Sequence, residues 1–105
     1  MLGAVGDDTN GVWYLSELAK SGVNCSKILT KSNISTGVAP ITVATSTGEN
    51  SIVVIPGANL KLTPDDLMSH RDLFQSANII ICQNEISHET TKKVKQFHRL
   101  GCIFW

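Results

Sequence analysis

Apolar and polar positions change period along the chain, and each change marks an expected element. Leu2 to Val5 is a short apolar run that stops at Gly6-Asp7-Asp8-Thr9-Asn10-Gly11, a cluster of turn and helix-capping residues, so a strand should enter a helix there. Val12, Leu15, Leu18 and Ala19 then recur at helical spacing, and Gly22 stands where a left-handed C-terminal cap belongs. Asp7 and Asp8 precede the first turn, where a carboxylate accepts free backbone N–H groups and meets the positive end of the helix dipole. From Val38 to Ala44 and from Asn50 to Ile55 the residues are β-branched and apolar, separated by the polar turn Thr45 to Glu49, which predicts a β-hairpin. Pro40 cannot donate to a ladder, so its strand should be an edge. A hairpin this short does not stand alone in water and must close over a sheet, a partner or a ligand.

Thr63-Pro64-Asp65-Asp66 combines a threonine cap, proline at the first helical position and acids in the first turn, which starts a helix expected to run to about Gln75. Asn78 to Cys82 is apolar on both faces, as a central strand of a parallel sheet requires. Ser87 caps a helix in which Val94, Phe97 and Leu100 lie three apart, and Gly101 ends it before the apolar run Cys102 to Trp105. The expected order is β-α-(hairpin)-α-β-α-β, an α/β fold with a parallel sheet, flanking helices and a protruding hairpin.

At 105 residues and 42% hydrophobic positions, the chain has the size of one small domain or of one piece of a larger one. Nine basic and nine acidic side chains cancel and no run of like charge occurs, which argues against nucleic acid or an anionic membrane surface as partner. No apolar stretch approaches the roughly 20 residues of a membrane span, and no basic, apolar leader follows Met1, so a soluble, cytoplasmic protein is expected. Cys25, Cys82 and Cys102 include no Cys-x-x-Cys pair and read as reduced core residues. His70, His88 and His98 are too widely spaced for a zinc site, and no metal ligands are assigned.

In open α/β sheets, ligands collect beyond the carboxyl ends of the parallel strands, which directs attention to Gln83-Asn84-Glu85 after the strand ending at Cys82. A carboxylate there can accept hydrogen bonds from two adjacent sugar hydroxyls, or it can serve the helix that opens at Ser87; spacing alone does not separate these roles. Phosphoryl transfer needs a phosphate cradle, a metal-holding carboxylate and a positioned base, and the chain carries no such set.

The order Val5-Gly6-Asp7-Asp8-Thr9-Asn10-Gly11, Leu15 to Val23, Thr36-Gly37-Val38-Ala39, Gly48-Glu49-Asn50 through Pro56-Gly57-Ala58-Asn59, Leu62-Thr63-Pro64 and Cys82-Gln83-Asn84-Glu85 resembles the ribokinase branch of the PfkB sugar-kinase family, over nearly all of the chain. The resemblance implies a single partial ribokinase-like domain over residues 1–105, with residues 36–57 or so as a β lid over the sugar. It implies that Glu85 accepts sugar hydroxyls, that Ala39, Ile41 and Val54 are apolar lid residues facing a pentose, and that lid strands of two subunits clasp into a homodimer. It further implies an ATP-dependent kinase acting on ribose or a similar pentose, with Mg2+ and ATP in the complete enzyme and K+ as a candidate activator. The family's Gly-Gly-Lys-Gly-Ala-Asn segment belongs before Gly6, and its Asn-x-x-Glu and Gly-Ala-Gly-Asp motifs, with the catalytic Asp, belong after Trp105. The chain is therefore expected to be an internal fragment, inactive alone and binding no cofactor by itself. Asn84 stands where an apolar residue is more usual in the family. The alternative is a catalytically inactive interaction module that retains the clasp.

Overall fold

The computed structural model describes residues 1–97 and 102–104. Strand β1 (Leu2–Gly6) runs into helix α1 (Thr9–Lys20), and the chain returns in β2 (Lys27–Lys31), parallel to β1 with Leu2 opposite Lys27 and Gly6 opposite Lys31. The anticipated caps are present at both ends of α1. Asp8 is the N-cap, its Oδ1 accepting from the Gly11 N–H at 2.9 Å. At the other end Gly22 takes φ +78°, the Val23 N–H reaches back to the Leu18 carbonyl, and the Gly22 N–H reaches Ala19, which closes the helix as a Schellman motif. The apolar pattern does not announce β2. Its only apolar residues are Ile28 and Leu29 between terminal lysines, consistent with a strand none of whose residues is fully buried.

Strands β3 (Ile41–Val43) and β4 (Asn50–Ile52) form the expected hairpin, antiparallel, with Ile41 opposite Ile52. The register continues to a bridge between Val38 and Ile55. Every residue from Ala39 to Ile55 is exposed, so the hairpin presents its apolar side chains to solvent. Pro40 has no N–H to give and takes part through its carbonyl, which accepts from the Val53 N–H at 3.0 Å.

A 3-10 helix at Gly57–Lys61, not evident from the sequence, leads from the hairpin into α2 (Pro64–Met68) and α3 (Arg71–Ser76). These two helices replace the single one expected from Thr63 to about Gln75. The start is as read, with Thr63 and Asp66 forming a capping box around Pro64. The break follows from Ser69, whose hydroxyl donates to the Asp65 carbonyl at 3.1 Å, and from His70, which leaves helical geometry at ψ 30°. A serine that bonds back by four residues competes with the backbone ladder and bends the helix.

Strand β5 (Ile80–Cys82), helix α4 (His88–Phe97) and strand β6 (Cys102–Phe104) complete the described chain, with β6 parallel to β5. The Ser87 hydroxyl accepts from the Thr90 N–H at 3.2 Å, as its capping position predicts. Leu100 and Gly101, expected to end this helix, lie with His98 and Trp105 outside the described residues, as does the side chain of Cys102.

The α/β architecture with parallel strands and flanking helices is thus present, but the parallel strands form two ladders, β1–β2 and β5–β6, with no hydrogen-bonded pairing between them among the described residues. Nor is β5 covered on both faces: Ile79 and Ile81 are 64% and 70% exposed, while Cys82 is buried. One side-chain core nevertheless spans both halves, joining Ala4, Ala58, Leu62, Leu67, Phe74, Cys82 and Val94. The Phe74 and Phe97 rings, 5.4 Å apart between centroids, extend it along α3 and α4. Cys82 belongs to this core as expected, whereas Cys25 is only half-buried, its thiol 3.3 Å from the Val23 carbonyl. Among the described residues no helix is long and apolar enough to cross a membrane.

Candidate functional site

One cleft of about 950 Å3 runs along β1 from Met1 to Val5 and along β5 from Ile80 to Cys82 and on to Glu85. Glu85 lines it, three residues beyond the end of β5, together with Thr36, Gly37, Val38 and Asn59 from the root of the hairpin. Glu85 is exposed, so its carboxylate is open to a ligand. Its position beyond the carboxyl end of a parallel strand is the one that strand polarity predicts for a binding group.

Ala39, Ile41 and Val54 lie elsewhere, on the exposed arm of the hairpin. The pairings Ile41 with Ile52 and Val38 with Ile55 keep one register, which sets Ala39 across from Val54. Strand alternation then puts Ala39, Ile41 and Val54 on one face of the hairpin, with Ile52 and Val43 beside them. None of Ala39, Ile41 and Val54 lines the cleft that Glu85 borders. The structure therefore gathers three of the four sequence-derived candidates into one apolar hairpin face and places the fourth on the cleft at the hairpin root.

That root is built from small residues and one carboxylate. Asp8 Oδ2 accepts from the Thr36 N–H at 2.9 Å, and Oδ1 accepts from the Thr36 hydroxyl while also capping α1. The Thr36 hydroxyl in turn accepts from the Gly6 N–H at 2.9 Å, deep enough that Thr36 is 8% exposed. Donation by the Thr36 hydroxyl, then by the Thr36 and Gly11 N–H groups, holds the Asp8 carboxyl below its ordinary value. Glycine is required where the segments meet: a methyl at Gly6 would fall 2.1 Å from the Ile34 carbonyl oxygen. Gly57, at φ +51°, brings the outgoing leg back so closely that a methyl there would fall 2.4 Å from the Ser35 carbonyl oxygen. Sequence reasoning reached Asp8 only as a cap, because its bonds to Thr36 span 28 residues and leave no local signature.

Among the described residues no group of three or more His, Cys, Asp or Glu could hold a metal ion. The chain also lacks a glycine-rich phosphate cradle. No phosphoryl-transfer step is assigned to the described residues.

Residues 1–103 match the family described as pfkB family carbohydrate kinase. The ribokinase of Schizosaccharomyces pombe is 40% identical over 102 residues, covering 96% of this chain and 32% of that protein. Among solved structures, the ribokinase of Giardia lamblia superposes with a TM-score of 0.81 at 35% identity, covering 98% of this chain and 33% of that one. The Arabidopsis thaliana ribokinase, solved in complex with ribose and ATP, superposes with a TM-score of 0.70 at 29% identity over 98% of this chain and 35% of its own. The chain thus spans about a third of the length of these relatives. With its α/β parallel ladders and a family match that spans residues 1–103, the chain belongs to the pfkB family of carbohydrate kinases.

Proposed function

We propose that this chain forms the sugar-covering portion of an ATP-dependent ribokinase whose complete form transfers the γ-phosphoryl group of ATP to the O5 hydroxyl of D-ribose. The observation that carries this reading is the match of residues 1–103 to carbohydrate kinases. The placement of Glu85 on a cleft shared with the hairpin root supports it. In this reading Glu85 accepts hydrogen bonds from two sugar hydroxyls, and the apolar face carrying Ala39, Ile41 and Val54 acts as a lid that excludes water from the bound pentose. The general base, Mg2+, ATP and any K+ are held by parts of the complete enzyme other than these residues, and the enzyme works in the cytoplasm. Binding and enclosure by these residues contribute positioning rather than bond making.

The test is ribose-dependent ATP turnover by the full-length product that contains these residues, compared with its Glu85→Gln variant. Loss of about two orders of magnitude in kcat/KM is expected when a buried sugar hydroxyl loses a charged acceptor. Unchanged turnover in the variant refutes the role of Glu85, and turnover by the 105-residue chain alone refutes the assignment of the chemistry to other parts of the protein.

The exposed apolar residues of the hairpin favour a second reading alongside the first, association of copies through the lid strands. Ile41, Val43, Ile52 and Val54, which share one face of the hairpin, are 51–57% exposed, a contiguous apolar strip of the kind that marks an interface. A homodimer clasped through this strip should disperse in Val54→Asp, which would bury an unpaired charge. An unchanged sedimentation profile counts against the clasp.

A further inference from the structure

We propose that Asp8 is a positioning residue that fixes the root of the hairpin through Thr36, and so sets where Ala39, Ile41 and Val54 stand relative to the cleft. Capping α1 requires only one bond, from the Gly11 N–H to Asp8 Oδ1. The remaining capacity of the carboxylate goes to a segment 28 residues away, to both the N–H and the hydroxyl of Thr36. Serine or threonine would cap the helix equally well, but only a group with two acceptor oxygens satisfies Gly11 and both donors of Thr36 together.

The surrounding contacts make this bond a point of control rather than decoration. Thr36 is locked from the other side by the Gly6 N–H, and a methyl at Gly11 would fall 2.3 Å from the Gly6 carbonyl oxygen and 2.9 Å from the Thr36 hydroxyl. The returning leg is joined to the same place, since the Ala58 N–H donates to the Ser35 carbonyl at 2.8 Å. Ala58 itself is wholly buried. Both legs of the hairpin are therefore held at residues 35–37 and 57–58, while every residue from Ala39 to Ile55 is exposed. An arm supported only at its root takes its direction from the root. Asp7 differs in burial: its carboxylate accepts from the Asn33 N–H, 26 residues on, at 3.1 Å and in the open.

The meaning of this placement for catalysis rests on the sugar-covering reading of the hairpin; the latch itself does not. The experiment is amide hydrogen exchange on the 105-residue chain and on Asp8→Ser, which keeps a capping oxygen but cannot hold Thr36. Exchange at Val38 and Ile55, whose N–H groups bond reciprocally across the root at 2.9 Å, should rise about tenfold or more, while the β1–β2 ladder amides change less than about threefold. Thr36→Val should reproduce the effect, whereas Thr36→Ser, which retains the hydroxyl, should exchange at the parent rate. In the unmutated chain the Thr36 amide should already be protected like a strand amide although it lies outside every strand. Exchange at Val38 and Ile55 that stays at the parent rate, a uniform rise throughout the chain, or an unprotected Thr36 amide overturns the proposal. No sugar or nucleotide enters the measurement, so the kinase reading can fail while the latch stands, and the reverse.

Discussion

The hydroxyl of Thr90 donates to the carbonyl of Leu62 at 2.8 Å, fastening α4 to the residue that precedes the Thr63 cap of α2. Thr90 is completely buried, and its oxygen also accepts from the Ser87 hydroxyl at 2.8 Å. Thr90→Val keeps the volume but leaves the Leu62 carbonyl without this donor inside the core. The expected loss is about 1–3 kcal/mol, read as a lower urea midpoint with unchanged slope. A midpoint equal to that of the parent would show that water replaces the hydroxyl.

Leu67 is 1% exposed at the centre of the core that joins both halves. Leu67→Ala removes its contacts and leaves a cavity, at an expected loss of about 2–5 kcal/mol. For a chain of 105 residues that is a large part of a typical total of roughly 5–15 kcal/mol, and circular dichroism should show a partly unfolded population at 25 °C.

Two glycines of one strand should respond very differently to the same change. A methyl at Gly3 meets nothing within 4 Å, so Gly3→Ala should leave thermal stability within about 0.5 kcal/mol of the parent. Gly6→Ala drives a methyl against the Ile34 carbonyl and the Thr36 N–H and should prevent the hairpin root from forming. Comparison of the two melting curves separates backbone contact from strand propensity.

Two carboxylates make stability fall in acid. At Asp66 partial burial pushes the pKa up, but the hydrogen bond from the Lys31 ammonium at 2.8 Å and those from Thr63 outweigh it and hold the carboxyl below the ordinary 3.8. Asp8 is lowered from the same ordinary value, chiefly by the Thr36 hydroxyl. A depressed folded-state pKa means that the unfolded chain takes up protons first as pH drops. The stabilisation from both groups is complete above pH 3.8 and is lost progressively as pH falls below it toward the lowered values. Lys31→Met should flatten this dependence and lower stability near neutrality by about 1 kcal/mol. A curve of unfolding free energy against pH between roughly 2 and 5 checks the sign.

The elements legible in the sequence were those whose signal is local. The Asp8 cap, the Gly22 closure, the Thr63 capping box and the hairpin all depend on residues within a few positions of one another. Strand β2 was not legible because partial exposure leaves Lys27-Ile28-Leu29-Thr30-Lys31 without a strong apolar pattern. The break at Ser69 was hidden for another reason: Thr63 to Gln75 has acceptable helical spacing, and only the hydroxyl's choice of the Asp65 carbonyl decides against continuity. At the site, strand polarity pointed to Glu85, whereas the tie between Asp8 and Thr36 arises only once the chain has turned back on itself.

Because the ladders β1–β2 and β5–β6 share no main-chain bond among the described residues, the two halves of the molecule are coupled through side-chain packing and the Lys31–Asp66 ion pair. Packing weakens gradually on heating, whereas a continuous ladder would have to break along its length. One half can therefore loosen while the other keeps its backbone pairing, and amide exchange in β1–β2 and in β5–β6 should rise at different temperatures.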